Sequence, residues 1–334
     1  MAAREVKVGV FLPQGWRMDL ADVPDAIDKY ETMSRCALEA EKAGFDGAFL
    51  YDHFHTVPDP HLESVFECWT SMAALARDTS TIRLGQMVTC NSYRPPSLLA
   101  KMTSCIDVMS HGRLILGIGA GWYEHEYVAY GYEYPDTPER LRMLRESLQV
   151  IKAMWTQEEA TFEGRYYRIR GAINEPKPAQ KPHPPIWIGG AGEKVTLKLV
   201  AQYGDGCNLR GDIETIRHKL DVLREHCKAV GRDYDSVLKT LEFYAILGDR
   251  REVDRVIKDT ARRVGRDEAF VRTWNEHIGD ADQIAATMRE YADAGIDYFI
   301  VNLPNAFEGG VFTRFAEEVL PSLRGLRRDA HMPR

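Results

Sequence analysis

Short apolar runs and stretches with a single apolar face take turns along almost the whole chain. Residues 6–12, VKVGVFL, form a mostly apolar run that stops at Pro13, Gln14 and Gly15, as a buried strand stops at a turn. Ile27, Tyr30, Met33, Ala37 and Ala40 then recur at three and four residues, the period of a helix with one buried face. Gly44 stands where a left-handed C-terminal cap belongs. Residues 46–52, DGAFLYD, read as a second strand. The same patterning predicts helices over 68–77 and 97–109, a strand over 82–89, and a strand from Leu114 into the run Gly117, Gly119, Gly121. A long helix follows, with Thr137 and Pro138 as N-cap and first-turn proline and an apolar face of Leu141, Leu144, Leu148, Ile151 and Trp155.

Residues 156–184 break the rhythm. Five of the sixteen prolines stand between Pro176 and Pro185, so this segment is expected to be an insertion between strands four and five that carries a short hairpin around Phe162 and Tyr166. Alternation then resumes with strands over 186–190, 206–210, 238–247 and 298–303. Helices are expected over 193–202, from an Asp212 cap to Gly231, over 252–264, from an Asp280 cap through Tyr291, and over 312–323, with an extra helical piece within about 265–279. Eight apolar strands separated by amphipathic helices predict a parallel sheet covered by helices. The count of eight favours a single (β/α)8 TIM barrel over an open doubly wound sheet, whose fingerprint would put GxGxxG after the first strand, where this chain has PQGW. One domain over 1–334 is expected.

Composition narrows the function classes. A net charge of −7, from 43 basic and 50 acidic residues, gives no reason to expect nucleic acid or an anionic membrane as partner. No stretch approaches the ~20 apolar residues of a membrane helix, and the N-terminal apolar run is too short for a signal peptide, so the cytoplasm is the expected location. The six cysteines are scattered without a CxxC and read as reduced.

In a barrel of this kind the chemistry sits where strands end. Strand one delivers Gln14 and Trp16, and strand two delivers Tyr51, Asp52, His53 and His55. Strand three delivers Thr89, Cys90 and Asn91; strand four brings the glycines with Trp122, Glu124 and His125. Later strands bring Gly189, Gly190, Ala191 and Gly192, then Asn208, Arg210 and Asn302. Alternate glycines after a buried strand either offer backbone N–H groups to a phosphate or flat ring, or let a strand pack closely; the residues alone leave these equal. Gly189 to Gly192 at a helix N-terminus favour a phosphate over a mere tight turn. His53 can act as acid, base or donor near neutral pH with Asp52 tuning it, although Asp52 alone would also serve as a turn cap. His53 and His55 form an HxH, but later strand ends offer only His125 and no full ligand set, so a metal-dependent hydrolase is a remote alternative and no metal is expected.

Five stretches together carry a resemblance: AEKAGFDGAFLYDHF at 40–54, TIRLGQMVT at 81–89, RPPSLLAKMTSCIDVMSHGRLILGIGAGW at 94–122, YGYEYPDTPERLRMLRESLQVIKAMW at 130–155, and FEGRYYRIRGAINEPKPAQKPHPPIWIGGAGEK at 162–194. They resemble the luciferase-like monooxygenase superfamily, barrels that bind FMN or coenzyme F420, and most of all its F420-dependent oxidoreductase branch. The resemblance implies Asp52 near a deazaflavin ring and His53 beside the hydride-transfer site. It implies a non-proline cis peptide at Met87 and Val88 behind that ring. Gly119, Ala120 and Gly121 would line the cofactor's side chain, with Ala191 and Gly192 at its phosphate. Thr89, Asn91, Trp122, His125, Gly189 and Gly190 are assigned to the same cofactor, and Trp16, Tyr51 and Trp122 to the substrate pocket. Two departures matter. Relatives that oxidise glucose 6-phosphate carry a glutamate and a tryptophan where this chain has Trp122 and Val57, which implies a different, flat or hydrophobic, small-molecule substrate. The expected activity is F420-dependent hydride transfer by a homodimer. FMNH2-dependent monooxygenation is the alternative, and a barrel that binds cofactor without catalysis is the non-enzymatic one.

Overall fold

The computed structural model describes residues 4–323 and 327–328; residues 1–3, 324–326 and 329–334, at the two ends of the expected 1–334 domain, lie outside the described residues. Eight parallel strands close into a barrel with helices around it: β1 Lys7–Phe11, β2 Gly47–Leu50, β3 Arg83–Gln86, β4 Leu114–Gly119, β5 Ile186–Gly189, β6 Gly206–Leu209, β7 Leu238–Leu247 and β8 Tyr298–Asn302. All but β3 read apolar or glycine along most of their length because both faces are covered, and every residue of β2, β4, β5, β6 and β8 is buried.

The described residues cluster into two compact units. The first holds the described residues within 1–67, 209–220 and 238–334, and the second 68–208 and 221–237. In the first unit β7 pairs with β8 from Thr240↔Tyr298 to Tyr244↔Asn302, β8 pairs with β1, and β1 with β2, all parallel. In the second β3 pairs with β4, β4 with β5, and β5 with β6. Strand three is shorter than the apolar run that predicts it. It ends at Gln86, the Met87–Val88 peptide is cis, and Thr89–Cys90 resumes pairing with β4.

The helix Ala26–Ala43 is capped by Asp25, which accepts from the N–H groups of Ile27 and Asp28, and it ends on Gly44 at φ 83° as the sequence predicts. Ile27 does not belong to the buried face: it is 75% exposed, because the first turn runs out into solvent before the helix meets the barrel. Thr137 is likewise not the cap of the long helix Thr137–Thr156; Asp136 is, its Oδ1 accepting from Glu139 N at 2.7 Å. A carboxylate there satisfies an orphan N–H and also places negative charge at the positive end of the helix. The helix after β5 begins at Thr196 and not at residue 193. The final helix stops at Glu318, with a single 3-10 turn around Pro321 beyond it, since proline has no N–H with which to continue the ladder.

The insertion carries the expected hairpin, Glu159–Glu163 against Arg168–Ile173. Its turn is held by Glu146 of the long helix, a buried carboxylate that accepts from the N–H groups of Arg165 at 3.0 Å, Tyr166 at 2.8 Å and Tyr167 at 3.2 Å. Replacing Glu146 with alanine removes three charge-assisted bonds at once. A loss of about 2–3 kcal/mol is expected in urea unfolding of Glu146→Ala, and a change below about 0.5 kcal/mol would mean that the turn holds itself.

The predicted extra helical piece is only half right. The helix Glu268–Trp274 gives way to a short strand, His277–Gly279, that pairs in parallel with Ala245 to Leu247 of β7. Pairing with an open strand edge outweighs local helix preference there. His277 stacks on Phe243 at 3.9 Å, and burial lowers its pKa from 6.5 to about 4. In the unfolded chain this histidine takes up a proton near pH 6.5, while in the folded one it stays neutral to about 4. Stability is therefore full above pH 6.5 and falls as pH drops through that window, by an order of 2–3 kcal/mol at its lower end. His277→Phe keeps the stacked ring and removes the titration, so melting temperatures between pH 7.5 and 4.5 should fall less in this variant than in wild type.

No helix among the described residues is long and apolar enough to cross a membrane.

Candidate active site

In the first unit the exits of β1, β2, β7 and β8 converge on one aromatic and polar group. Gln14 closes a reciprocal amide clamp on the exit of β2: its Nε2 donates to Tyr51 O at 2.9 Å, and its Oε1 accepts from Tyr51 N at 2.8 Å. Nε2 also reaches Phe66 O at 2.6 Å. Gln14 thus holds backbone and offers nothing to a ligand. At Gly15, φ is 95° and a Cβ would stand 1.9 Å from the Ser64 carbonyl oxygen, so only glycine lets the chain turn here and present Trp16. The Trp16 ring lies flat on His53, centroids 4.3 Å apart and planes 2° from parallel, and it also packs on Tyr51 at 4.2 Å. Trp16, Tyr51, Asp52 and His53 are all buried, and Trp16 Nε1 meets no acceptor. Stacking on an indole fixes the plane of the imidazole, as a group that must present one nitrogen in one direction requires.

A polar chain runs through the same unit. Arg17 Nη1 donates to Asn302 Oδ1 at 3.3 Å, Asn302 Nδ2 donates to the Tyr51 hydroxyl at 3.2 Å, and that hydroxyl lies 3.5 Å from the Tyr244 hydroxyl, which donates to Glu242 at 2.7 Å. Burial pushes both phenols above their ordinary pKa, and the Glu242 carboxylate adds to this, so both carry their protons at any working pH. Arg210 lies 4.8 Å over the Tyr244 ring and pairs with Glu276 at 2.8 Å. Reading strand ends in sequence finds Asn302 and Arg210. It misses Arg17, which directly follows Trp16, and it misses Glu242 and Tyr244, whose i, i+2 spacing on β7 is the period of a strand face.

In the second unit the glycines let neighbouring backbone and side chains approach closely. A Cβ on Gly117 would stand 1.7 Å from the Gln86 carbonyl oxygen; on Gly119, 2.8 Å from Val88 Cγ2; and on Gly189, 2.6 Å from Val88 Cγ1. The glycines of β4 and β5 therefore make room for the Gln86–Val88 backbone and the Val88 side chain. Gly121, at φ 80°, makes room for Tyr127, whose hydroxyl would meet its Cβ at 2.0 Å and which bonds Cys90 Sγ at 3.0 Å. Around this bulge several polar atoms are buried without partners: Gln86 Nε2 and Oε1, Thr89 Oγ1 and Asn91 Oδ1. Asn91 Nδ2 is already engaged, donating to the Tyr167 hydroxyl at 3.2 Å. Buried polar atoms left over beside a backbone cleared of side chains fit a polar flat group better than they fit an apolar core.

The remaining expected site residues are placed less uniformly. Ala120, Gly121 and Ala191 are partly covered, whereas Gly190, Gly192 and His125 are exposed, and Trp122 is 60% exposed and stacked on Tyr123 at 5.1 Å. Gly189 to Gly192 do not sit at a helix N-terminus. Three residues, 193–195, intervene, and the Gly192 carbonyl accepts from Leu197 N at 3.1 Å. Gly190, at φ 113°, turns the backbone before the helix begins. Among the described residues neither His53 nor His55 belongs to a group of three metal-ligating side chains.

The F420-dependent glucose-6-phosphate dehydrogenase of Amycolatopsis mediterranei (strain U-32) is 28% identical over 319 residues, 87% of this chain and 93% of its own. Among solved structures, an F420-dependent secondary alcohol dehydrogenase in complex with an F420-acetone adduct superposes with a TM-score of 0.79 at 21% identity, covering 96% of this chain and 99% of that one. The monooxygenase RslO1 from Streptomyces bottropensis superposes with 0.78 at 22% identity, covering 94% and 99%. Both share the barrel fold. The family description luciferase-like monooxygenase matches residues 6–298, so the chain belongs to the luciferase-like monooxygenase family.

Proposed function

We propose that this protein is an F420-dependent oxidoreductase acting on a small organic substrate with a flat or hydrophobic body. The observation that carries this is the bulge after β3, where polar atoms of Gln86, Thr89 and Asn91 lie buried without partners beside the glycines of β4 and β5. Further support is the relative named as an F420-dependent dehydrogenase over 87% of the chain. Thr89, Asn91, Gly119, Ala120, Gly121 and Ala191 would hold the cofactor, and when bound it would supply two-electron hydride chemistry.

The chain's own part is orientation and proton handling. His53, fixed in plane by Trp16, holds or delivers a proton at the oxygen on which charge develops, with Asp52 beside it in sequence. Trp16 and Tyr51 bound the substrate and exclude water. The exposed Trp122, stacked on Tyr123, would close on a ligand. Val57 and Trp122, standing where sugar-phosphate dehydrogenases carry a tryptophan and a glutamate, support a substrate other than glucose 6-phosphate. A cytoplasmic homodimer completes the proposal, and light scattering after gel filtration tests its dimeric part.

Titration of the purified protein with F420 and with FMN, followed by fluorescence, is the direct test. Micromolar or tighter F420 binding, and absorbance change at 420 nm with substrates, is the expected result. Binding of reduced FMN alone, with oxygen consumption, would replace the proposal by the monooxygenase that the family name and RslO1 represent.

A further inference from the structure

Arg17 is buried on the loop that leaves β1, with its guanidinium between two rings: Cζ lies 3.7 Å from the Trp274 centroid and 4.4 Å from that of Tyr244. Nη1 donates to Asn302. Nη2 is buried and meets no acceptor, and no carboxylate pairs with Arg17 among the described residues. A guanidinium does not give up its proton, so a buried one without an anion is costly. Two aromatic faces recover part of that cost but leave the in-plane N–H bonds of Nη2 unused.

Beside it lies a small cavity of about 10 Å3, lined among others by Arg17, Asp19, Arg263, Trp274, Asn275 and Asn302. That is room for one oxygen-sized group. Two more of its polar atoms, Arg263 Nε and Asn275 Oδ1, are buried without partners. Asp19 is the one carboxylate among these lining residues, and it is held by Gly15 N at 2.7 Å and Gln14 N at 3.3 Å. Arg263 also reaches Asp22 at 3.4 Å, but Asp22 is already bidentate with Arg262 at 2.9 and 2.7 Å. Arg262 and Arg263 thus share Asp22 as an ion-pair partner, whereas Arg17 has no carboxylate partner among the described residues.

We propose that Arg17 recognises a carboxylate on the substrate, one oxygen of which enters this space in the plane of the guanidinium and accepts from Nη2. Because rings cover both faces of Arg17, only its edge is open. A planar carboxylate lies in the plane of that edge, whereas a tetrahedral phosphate sets further oxygens out of the plane, against the two rings. The assignment deepens the function proposed above, giving the flat substrate an acid end, and it makes Arg17 a specificity residue.

The test uses the full chain, with and without F420, and three probes measured by calorimetry: benzoate, benzamide and phenyl phosphate. Wild type is expected to bind benzoate at least about tenfold more tightly than either of the others. Arg17→Met is expected to lose that preference while binding F420 within about twofold of wild type, which a purely structural clamp would not do. Equal binding of acid and amide by wild type, tighter binding of phenyl phosphate, or an acid preference that survives in Arg17→Met would overturn the assignment. Should Arg17→Met fail to fold, the wild-type comparison decides alone. Absence of F420 binding by wild type would overturn the cofactor proposal and leave the probe comparison standing.

Discussion

Gly117→Ala is expected to cost more than about 4 kcal/mol and to leave little folded protein, although it adds one methyl group. The added Cβ would stand 1.7 Å from the Gln86 carbonyl oxygen and 2.9 Å from its carbon. Overpacking against a flexible side chain costs about 1–3 kcal/mol because the neighbour turns aside. Here the obstacle is backbone at the end of β3, in a unit where β3 and β4 are paired at Leu84↔Leu114 and Gly85↔Ile115. Relief requires the two strands to part. Gly131→Ala is the control: its φ is 74°, but nothing lies within 4 Å of a Cβ, so only the left-handed backbone cost of about 1–2 kcal/mol applies. Urea unfolding of the two variants side by side measures the difference, and equal losses would show that the strands yield more easily than this packing implies.

His53→Ala is expected to reduce kcat/KM by about 10²–10⁴-fold while leaving F420 affinity nearly unchanged. The imidazole is buried and stacked at 4.3 Å on Trp16, and the polar atoms assigned to the cofactor are those of Thr89, Asn91 and the glycine turns. Under the proposed role, losing the ring removes proton handling and opens a hole beside Trp16 without touching the contacts proposed for the cofactor. Trp16→Leu should show a milder version, with kcat falling more than affinity, because the histidine then loses its fixed plane. Turnover by His53→Ala within tenfold of wild type would end the role given to this residue, and a parallel loss of F420 binding would make it a cofactor ligand instead.

Much of this molecule was readable before any coordinates. Strands with both faces buried must be apolar along their length, so the runs at 114–116, 186–188 and 298–301 announced themselves. Helices with one buried face carry a period that Leu144, Leu148 and Ile151 display, and the resulting alternation admits few topologies. Asp212, Asp280 and Gly44 declared helix ends because capping is local chemistry between residues three or four apart. The ends of strands one and two, and with them Trp16, Tyr51, Asp52 and His53, followed from the rule that barrels do their chemistry where strands stop.

What tertiary structure alone decided depends on neighbours distant in sequence. The glycines of β4 looked equally suited to a ligand or to close packing. Only the position of Gln86 and Val88, some thirty residues earlier, shows that they accommodate a protein bulge whose unpartnered polar atoms are what remain for a ligand. The stretch around His277 is helical by composition and a strand in fact, since the edge of β7 was there to pair with. Arg17 is invisible as a site residue in sequence, for its meaning comes from Trp274, Tyr244 and Asn302, over 200 residues away. Periodicity and capping are properties of short segments and can be read one segment at a time, whereas burial of a charge and the room left by a missing side chain are properties of the folded surroundings.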